Sequence, residues 1–155
     1  MARFDVSGLE ETIREMERMG QRSGDAAKAM LRAGAEKVKA AWRSATEAHG
    51  LVDTGDMLES IGYARNPKVI GDAMSVDIYP QGKDRKGVRN AEKAFILHYG
   101  TSRRKATRFV DDADAKSAAE AVPAMEEIWD RYIQTGTVPT VPMTPNHPGG
   151  ANGKN

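Results

Sequence analysis

Residues 25–49, DAAKAMLRAGAEKVKAAWRSATEAH, form the stretch that decides the fold. Apolar and small side chains recur there at spacings of three and four, which places them on one face of an amphipathic helix. The stripe comprises Ala27, Met30, Leu31, Gly34, Val38, Ala41, Trp42 and Ala45. Because much of this face is small, another element can approach closely. We predict a long helix, capped by Asp25 and ended by Gly50, that packs against a sheet or a second helix.

A shorter helix is predicted upstream, over residues 7–20. Ser7 and Glu10 have the spacing of a capping box. The apolar positions at helical spacing are Leu9, Ile13 and Met16. Gly20 and Gly24 bracket a predicted turn that separates this helix from the longer one.

Short strands and a second long helix are predicted downstream. Residues 63–70 are weakly strand-like, whereas residues 73–79 alternate apolar and polar side chains as a half-buried strand does. Residues 91–99 fit either a buried strand or a short helix. A helix is predicted from Asp111 to about Gln134. Its apolar stripe is Ala115, Ala118, Val122, Met125, Trp129 and Tyr132, with Pro123 inside it either kinking the helix or starting a second one.

These elements predict an α+β fold, in which a small antiparallel sheet packs against a long N-terminal helix and a C-terminal helix. Residues 80–90 are expected to form a flexible basic loop. Residues 1–134 are predicted to form a single domain. Residues 135–155 are rich in Pro and Gly and poor in charge, so we expect a tail that is disordered or ordered by a partner.

The charge of the chain is segregated along the sequence. The 155 residues carry a net charge of +1, yet residues 81–108 hold nine Lys or Arg against two Asp or Glu, and residues 109–134 hold two against seven. Such blocks indicate charged surfaces that meet a partner. The absence of cysteine excludes disulfide scaffolds, thiolate metal sites and cysteine nucleophiles. No apolar run approaches the ~20 residues that span a bilayer.

Sequence patterns for catalysis are missing. No His-x-x-x-His pair, Gly-x-Ser-x-Gly elbow or phosphate-binding glycine loop occurs. Asp53 and Asp56 lie three residues apart at a loop-to-helix junction, where we interpret them as helix caps rather than as an acid–base pair. We therefore predict no catalytic, cofactor-binding or metal-binding residues, and a protein that is not an enzyme.

Two basic clusters remain, Lys83 to Arg89 and Arg103 to Arg108. They are either solvated loops or an electropositive surface that faces phosphates or an acidic partner. Sequence-specific reading of DNA is less favoured, because neither cluster lies on a defined recognition helix.

Three segments in order resemble a family of small proteins of long-tailed phages and prophages, the neck, head–tail joining and minor tail components. Residues 54–61, TGDMLESI, resemble the family's Thr-Gly-x-Leu-x-x-Ser-Ile. Residues 98–101, HYGT, are similar to its Glu-Phe-Gly-Thr. Residues 107–113, TRFVDDA, fall where it has Arg-Pro-Phe-Leu-x-Pro-Ala. Departures include Met57 for leucine, His98 for glutamate, and Arg108 and Asp112 for prolines.

The resemblance implies scaffold roles for the matching residues. These are Thr54, Gly55, Met57, Ser60, Ile61, Tyr99, Gly100, Thr101 and Phe109. We expect Leu58 and Ile61 to be buried, Ser60 to bond back to its helix or to a neighbour, Gly100 to form a tight turn, and Phe109 to anchor the last helix.

The resemblance also implies a structural virion protein of the head–tail junction, assembled in the bacterial cytoplasm, that forms a ring around the DNA channel and joins the capsid connector to the tail. Expected partners are further copies of the chain, other neck, connector and tail proteins, and non-specifically bound DNA in the lumen; no cofactor and no membrane are expected. Candidate contacts to a neighbour or to DNA are Lys83, Arg85, Lys86, Arg89, Arg103, Arg104, Lys105, Arg108, Asp111, Asp112 and Asp114. The alternative is a small nucleic-acid-binding or regulatory protein that uses the loop from Arg103 to Arg108.

Overall fold

A computed structural model describes residues 9–71 and 73–144 of the chain. In that part, the helices are α1 (Leu9–Ala48), α2 (Asp56–Ser60), α3 (Asn90–Tyr99) and α4 (Phe109–Thr135). The strands are β1 (Ile61–Gly62), β2 (Lys68–Ile70), β3 (Ala73–Ser75) and β4 (Tyr79–Pro80). β1 pairs with β4 and β2 with β3, both antiparallel. The predicted α+β class with two long helices is confirmed, and in place of one small antiparallel sheet the strands form two separate two-stranded pairs.

The predicted turn between two N-terminal helices is wrong. α1 is one helix of 40 residues, and Gly20 and Gly24 lie inside it. Neither glycine has a positive φ. Each costs a helix only about 1 kcal/mol relative to alanine, which a long helix tolerates. Asp25 is therefore a mid-helix residue and not a cap. Ser7 and the side chains of Leu9, Ile13 and Met16 lie outside the described residues.

The helix predicted from residues 25–49 is confirmed, and its small face packs against α4. Ala35, Ala41 and Ala45 are buried. At Gly34 the helices approach so closely that an added Cβ would lie 2.9 Å from the sulfur of Met125. The small side chains that the sequence places on this face are what permit the contact.

α4 buries a different face from the one predicted. Its buried residues are Phe109, Ala113, Ser117, Ile128 and Tyr132. Of the predicted stripe, Tyr132 is buried and Met125 half-buried, whereas Ala115, Ala118, Val122 and Trp129 are exposed. Ser117 takes a core position because its hydroxyl donates to the Asp114 carbonyl oxygen at 3.2 Å, and because a small side chain suits the close approach to α1. The helix continues through Pro123 as a single element, so the alternative of a second helix is wrong.

Residues 91–99 adopt the helical alternative, as part of α3. The alternation predicted in residues 73–79 is present, because Met74, Val76 and Ile78 are half-buried while their neighbours Ser75, Asp77 and Tyr79 are exposed. Regular strand pairing is nevertheless restricted to the short strands β3 and β4. The weakly strand-like residues 63–70 contribute only β2.

The described beginning of the tail contacts α1. The Lys39 ammonium group donates to the Thr144 carbonyl and hydroxyl oxygens at 3.1 and 3.0 Å. Glu36 accepts from the Thr144 backbone N–H at 3.0 Å and from its hydroxyl at 2.7 Å. Tyr63 donates to the same Glu36 carboxylate at 2.6 Å, and burial together with this bond raises the pKa of Tyr63 well above its usual value. Residues 145–155 lie outside the described part of the chain.

Candidate functional site

Two of the three family-like segments contribute to one hydrophobic cluster at the C-terminal end of α1, and the other reaches it through the His98 ring, which lies 6.1 Å from the Phe109 ring. The buried members of the cluster are Ala41, Ala45, Met57, Ala94, Phe109 and Ala113, and Trp42 packs against them. The rings of Trp42 and Phe109 contact edge to face, with centroids 5.8 Å apart. The cluster thus joins all four helices, and it fixes where the loops between them emerge.

The Thr54-Gly55 turn directly precedes α2, which begins at Asp56. Gly55 has φ of 88°, a left-handed conformation that favours glycine. Met57, Ser60 and Ile61 are buried, whereas Leu58 is half-buried. The Ser60 hydroxyl donates to the Met57 carbonyl oxygen at 2.7 Å, which is the bond back to the helix expected from the sequence. These contacts place the motif in the protein's interior.

Asp56 does not cap α2 with its side chain, so the cap interpretation is wrong for this residue. Its buried carboxylate binds Arg85 instead. The guanidinium group donates to both carboxylate oxygens at 2.9 and 2.6 Å, and the Arg85 backbone N–H adds a bond of 3.1 Å. These bonds hold the pKa of Asp56 well below its usual range. Arg85 therefore anchors its loop to the Thr-Gly motif, and its charge is already paired.

The first basic loop, which contains the basic cluster of residues 83–89, is otherwise organised around Asp84. This buried carboxylate accepts the backbone N–H groups of Lys86 at 2.9 Å and Val88 at 2.8 Å, and it pairs with Lys93 of α3. The Lys93 contact lowers the pKa of Asp84. Asn90 adds a bond from its side-chain amide to the Gln81 carbonyl oxygen at 2.9 Å. The acidic residue inside the basic loop thus holds the loop's shape.

The second basic loop begins at Gly100. Its φ of 77° and ψ of −178° lie in a region that is essentially restricted to glycine. An added Cβ would lie 2.6 Å from both the Ala106 nitrogen and the Arg104 carbonyl oxygen. Thr101 closes the turn with a bond from its N–H to the same oxygen at 2.8 Å. The tight turn predicted at Gly100 is confirmed, and it leaves the side chains at 103–105 exposed.

The end of α3 and the start of α4 are joined through His98 and Phe109, both buried. Their rings lie 6.1 Å apart, and the Val110 N–H donates to His98 Nδ1 at 3.4 Å. Arg108 precedes α4 with φ of 56°. Proline is restricted to φ near −65°, so a proline could not adopt this conformation. The arginine that departs from the family pattern thus accompanies a distinct local backbone.

Internal ion pairs reduce the charge segregation seen in the sequence. Asp56, Asp84 and Asp111 pair with Arg85, Lys93 and Arg108, and His49 Nε2 lies 2.5 Å from an oxygen of Asp112. Asp111, Asp112 and Asp114 are exposed. Among the described residues, six cations of the two basic loops have no acidic group within 4 Å. They are Lys83, Lys86, Arg89, Arg103, Arg104 and Lys105.

The described residues contain no group of three or more His, Cys, Asp or Glu side chains placed to hold a metal ion. An open cavity of about 390 Å³ lies between residues 50–58 and α3, and its wall includes Met57, Ile96, Leu97 and Arg104. None of the helices in the described ranges has the length and apolarity needed to cross a membrane. Asp56 and Asp84 are the sequence signals for the anchoring of the basic loops, because each carries a carboxylate that pairs with a cation of the basic segment.

Comparison with known proteins identifies a family. Residues 10–112 match the model of the HK97-gp10-like family, described as "Bacteriophage HK97-gp10, putative tail-component". The match includes α1, α2, α3, both basic loops and the first residues of α4, so it contains all three segments noted in the sequence except the last residue of the third. No curated protein and no solved structure matches the chain. The chain therefore belongs to the HK97-gp10-like family of phage tail components.

Proposed function

We propose that this chain is a structural virion protein of the head–tail junction, a neck or tail-completion protein. In this proposal, copies of the chain form a ring around the DNA channel, and the ring joins the capsid connector to the tail. Its partners are other copies, the neighbouring neck, connector and tail proteins, and DNA that passes through the lumen. Family membership supports a structural tail role. It also favours a protein that is not an enzyme.

The observation that carries the proposal is the placement of the six unpaired cations. They lie on two loops whose neighbouring segments pack into one buried cluster, and Met57, Phe109 and Ala113 of that cluster belong to the family-like segments. Exposed Lys and Arg attract phosphates without reading sequence. Contacts that do not read sequence are compatible with DNA that slides through a channel.

Light scattering after size exclusion tests the ring. We expect the purified chain to form, with rising concentration, one species of fixed mass corresponding to several copies. A closed ring stops growing at a defined number of subunits, whereas an open head-to-tail chain continues to grow. A chain that stays monomeric at high concentration and also fails to assemble beside partner proteins would contradict the proposal.

The alternative function, a nucleic-acid-binding or regulatory protein, is favoured by the same exposed cations at 103–105. The two functions differ in what the free subunit does. The alternative requires tight binding to duplex DNA by the isolated chain, falling steeply with salt. The ring proposal expects weak binding until many copies assemble. Fluorescence anisotropy with a labelled duplex at two salt concentrations separates them.

A further inference from the structure

The outer face of α3 exposes two stacked aromatic rings. The Phe95 and Tyr99 side chains are 65% and 56% exposed, and their ring centroids lie 4.7 Å apart. The Arg108 guanidinium lies over the Tyr99 ring, 5.4 Å from its centroid. Exposed aromatic rings with arginine are enriched at the centres of protein interfaces. We call Phe95, Ile96 and Tyr99, together with Arg103 and Arg104, the α3 patch.

The outer face of α4 exposes a second apolar surface. Val122, Trp129 and Ile133 are 53%, 41% and 49% exposed. Their spacing of seven and four residues places them on one side of the helix. Glu126 and Asp130 lie on the same side, are exposed, and have no basic group within 4 Å among the described residues. We call these five residues the α4 patch.

The two patches match in chemistry and are too far apart to meet within one chain. Each has an apolar centre with an aromatic ring. Among the described residues, the unpaired charges of the α4 patch are both negative, whereas beside the α3 patch the two unpaired arginines, Arg103 and Arg104, outnumber the one unpaired carboxylate on the same helix face, Glu92. α3 contacts α4 near Phe109. At a rise of 1.5 Å per residue, Trp129 lies about 30 Å further along the helix. The two patches can therefore meet only between two copies of the chain.

We propose that the α3 patch of one copy binds the α4 patch of the next. The inference rests on the proposed ring function and names its subunit interface. Because the two patches are different surfaces, the contact is heterologous, and repetition of it closes a ring when the rotation between copies divides a full turn. The opposite charges favour this pairing and disfavour contact between two identical patches.

The cavity of about 390 Å³ provides a place for an anchoring side chain. Ile96 and Arg104 belong both to its wall and to the α3 patch. Trp129 is the largest side chain of the α4 patch, and a tryptophan that fills a pocket at the centre of an interface is typical of binding hot spots. In the proposed interface, Trp129 of one copy enters this cavity of the next copy.

Charge reversal on each patch tests the interface. The first variant carries Arg103→Glu and Arg104→Glu, and the second carries Glu126→Lys and Asp130→Lys. Each variant alone brings like charges together at every interface, so each should be monomeric under conditions in which the wild-type chain assembles. Mixed in equal amounts, the variants should assemble again in alternation, because both kinds of contact regain opposite charges.

A matched control carries Lys28→Glu and Lys37→Glu, with the same change in net charge at exposed positions of α1 outside both patches and both basic loops. It should assemble like the wild type, and circular dichroism should show all variants folded. Assembly that persists in both single-patch variants would overturn this interface while leaving the ring proposal intact. Failure of the mixture to recover, or equal loss in the control, would also overturn it. A wild-type chain that never assembles would contradict the ring proposal itself.

Discussion

Gly100 is the residue whose substitution has the most predictable cost. Alanine at this position faces a backbone conformation that is essentially glycine-only, and its Cβ collides with two backbone atoms at 2.6 Å. We expect Gly100→Ala to lower the free energy of unfolding by about 3 kcal/mol, combining backbone strain and overpacking. Urea denaturation of the wild type and the variant measures this difference in the free energy of unfolding.

The matched control is Gly82→Ala. Gly82 also has a positive φ, 66°, but an added Cβ there has no atom within 4 Å. It should cost only about 1 kcal/mol. Equal losses at the two positions would mean that the contact of Gly100 with residues 104 and 106 does not constrain the second basic loop.

Asp56 makes a prediction about pH. Its bonds to Arg85 keep the folded-state pKa below the usual value, so the unfolded chain takes up the proton first as pH falls. The stabilisation from the pair is complete above the unfolded pKa of about 3.9 and is lost as pH drops below it. We expect Asp56→Asn to be less stable than the wild type at pH 7, and the difference to shrink below about pH 4.

Thermal unfolding of both proteins from pH 7 to pH 3 checks this. Asp53→Asn is the control, because Asp53 lies close by in the chain and its side chain is exposed. It should match the wild type throughout the range. A stability difference for Asp56→Asn that grows toward low pH would contradict the account of the Arg85 contact.

At the scale of elements, α1 shows what periodicity can and cannot predict. The stripe in residues 25–49 predicted a helix, and the structure confirms it. The turn at Gly20 and Gly24 was predicted from residue type alone, and it is wrong. A glycine only weakens a helix, whereas ending the helix in a turn requires a non-helical backbone conformation, which neither glycine adopts. Glycine identity does not distinguish these cases; the φ angle does.

α4 shows a different reason for error. Two faces of this helix hold alanine and larger apolar residues. The more hydrophobic of the two was predicted to be buried. The structure buries the face with Ala113 and Ser117, because α1 approaches closely and small side chains fit there. Hydrophobicity predicted the helix, but the partner's shape determined the buried face. The apolar face left outside is the one we propose as an interface.

The continuity of α1 has its own test. We expect Gly20→Ala and Gly24→Ala each to stabilise the protein by about 0.5–1 kcal/mol, because neither site has a positive φ or an atom within 4 Å of an added Cβ. Helical content by circular dichroism should not fall. If the chain turned here with left-handed glycines, both substitutions would instead destabilise it.

At the scale of the whole molecule, the near-zero net charge conceals the feature that matters. Asp56, Asp84 and Asp111 form ion pairs within the chain that hold the basic loops in place. Six cations are left exposed on those loops. The sequence predicted the basic segment but could not show which of its charges were paired, because the partners Asp56 and Arg85 are far apart in the chain. Family membership was predictable from three short segments.

Electron microscopy of the assembled chain tests the ring most directly. End-on class averages should show a closed ring with a fixed number of subunits and a central hole wide enough for duplex DNA. The proposed function predicts this closed form with the two basic loops lining or bordering the hole. Open filaments of variable length, or compact particles without a hole, would contradict it.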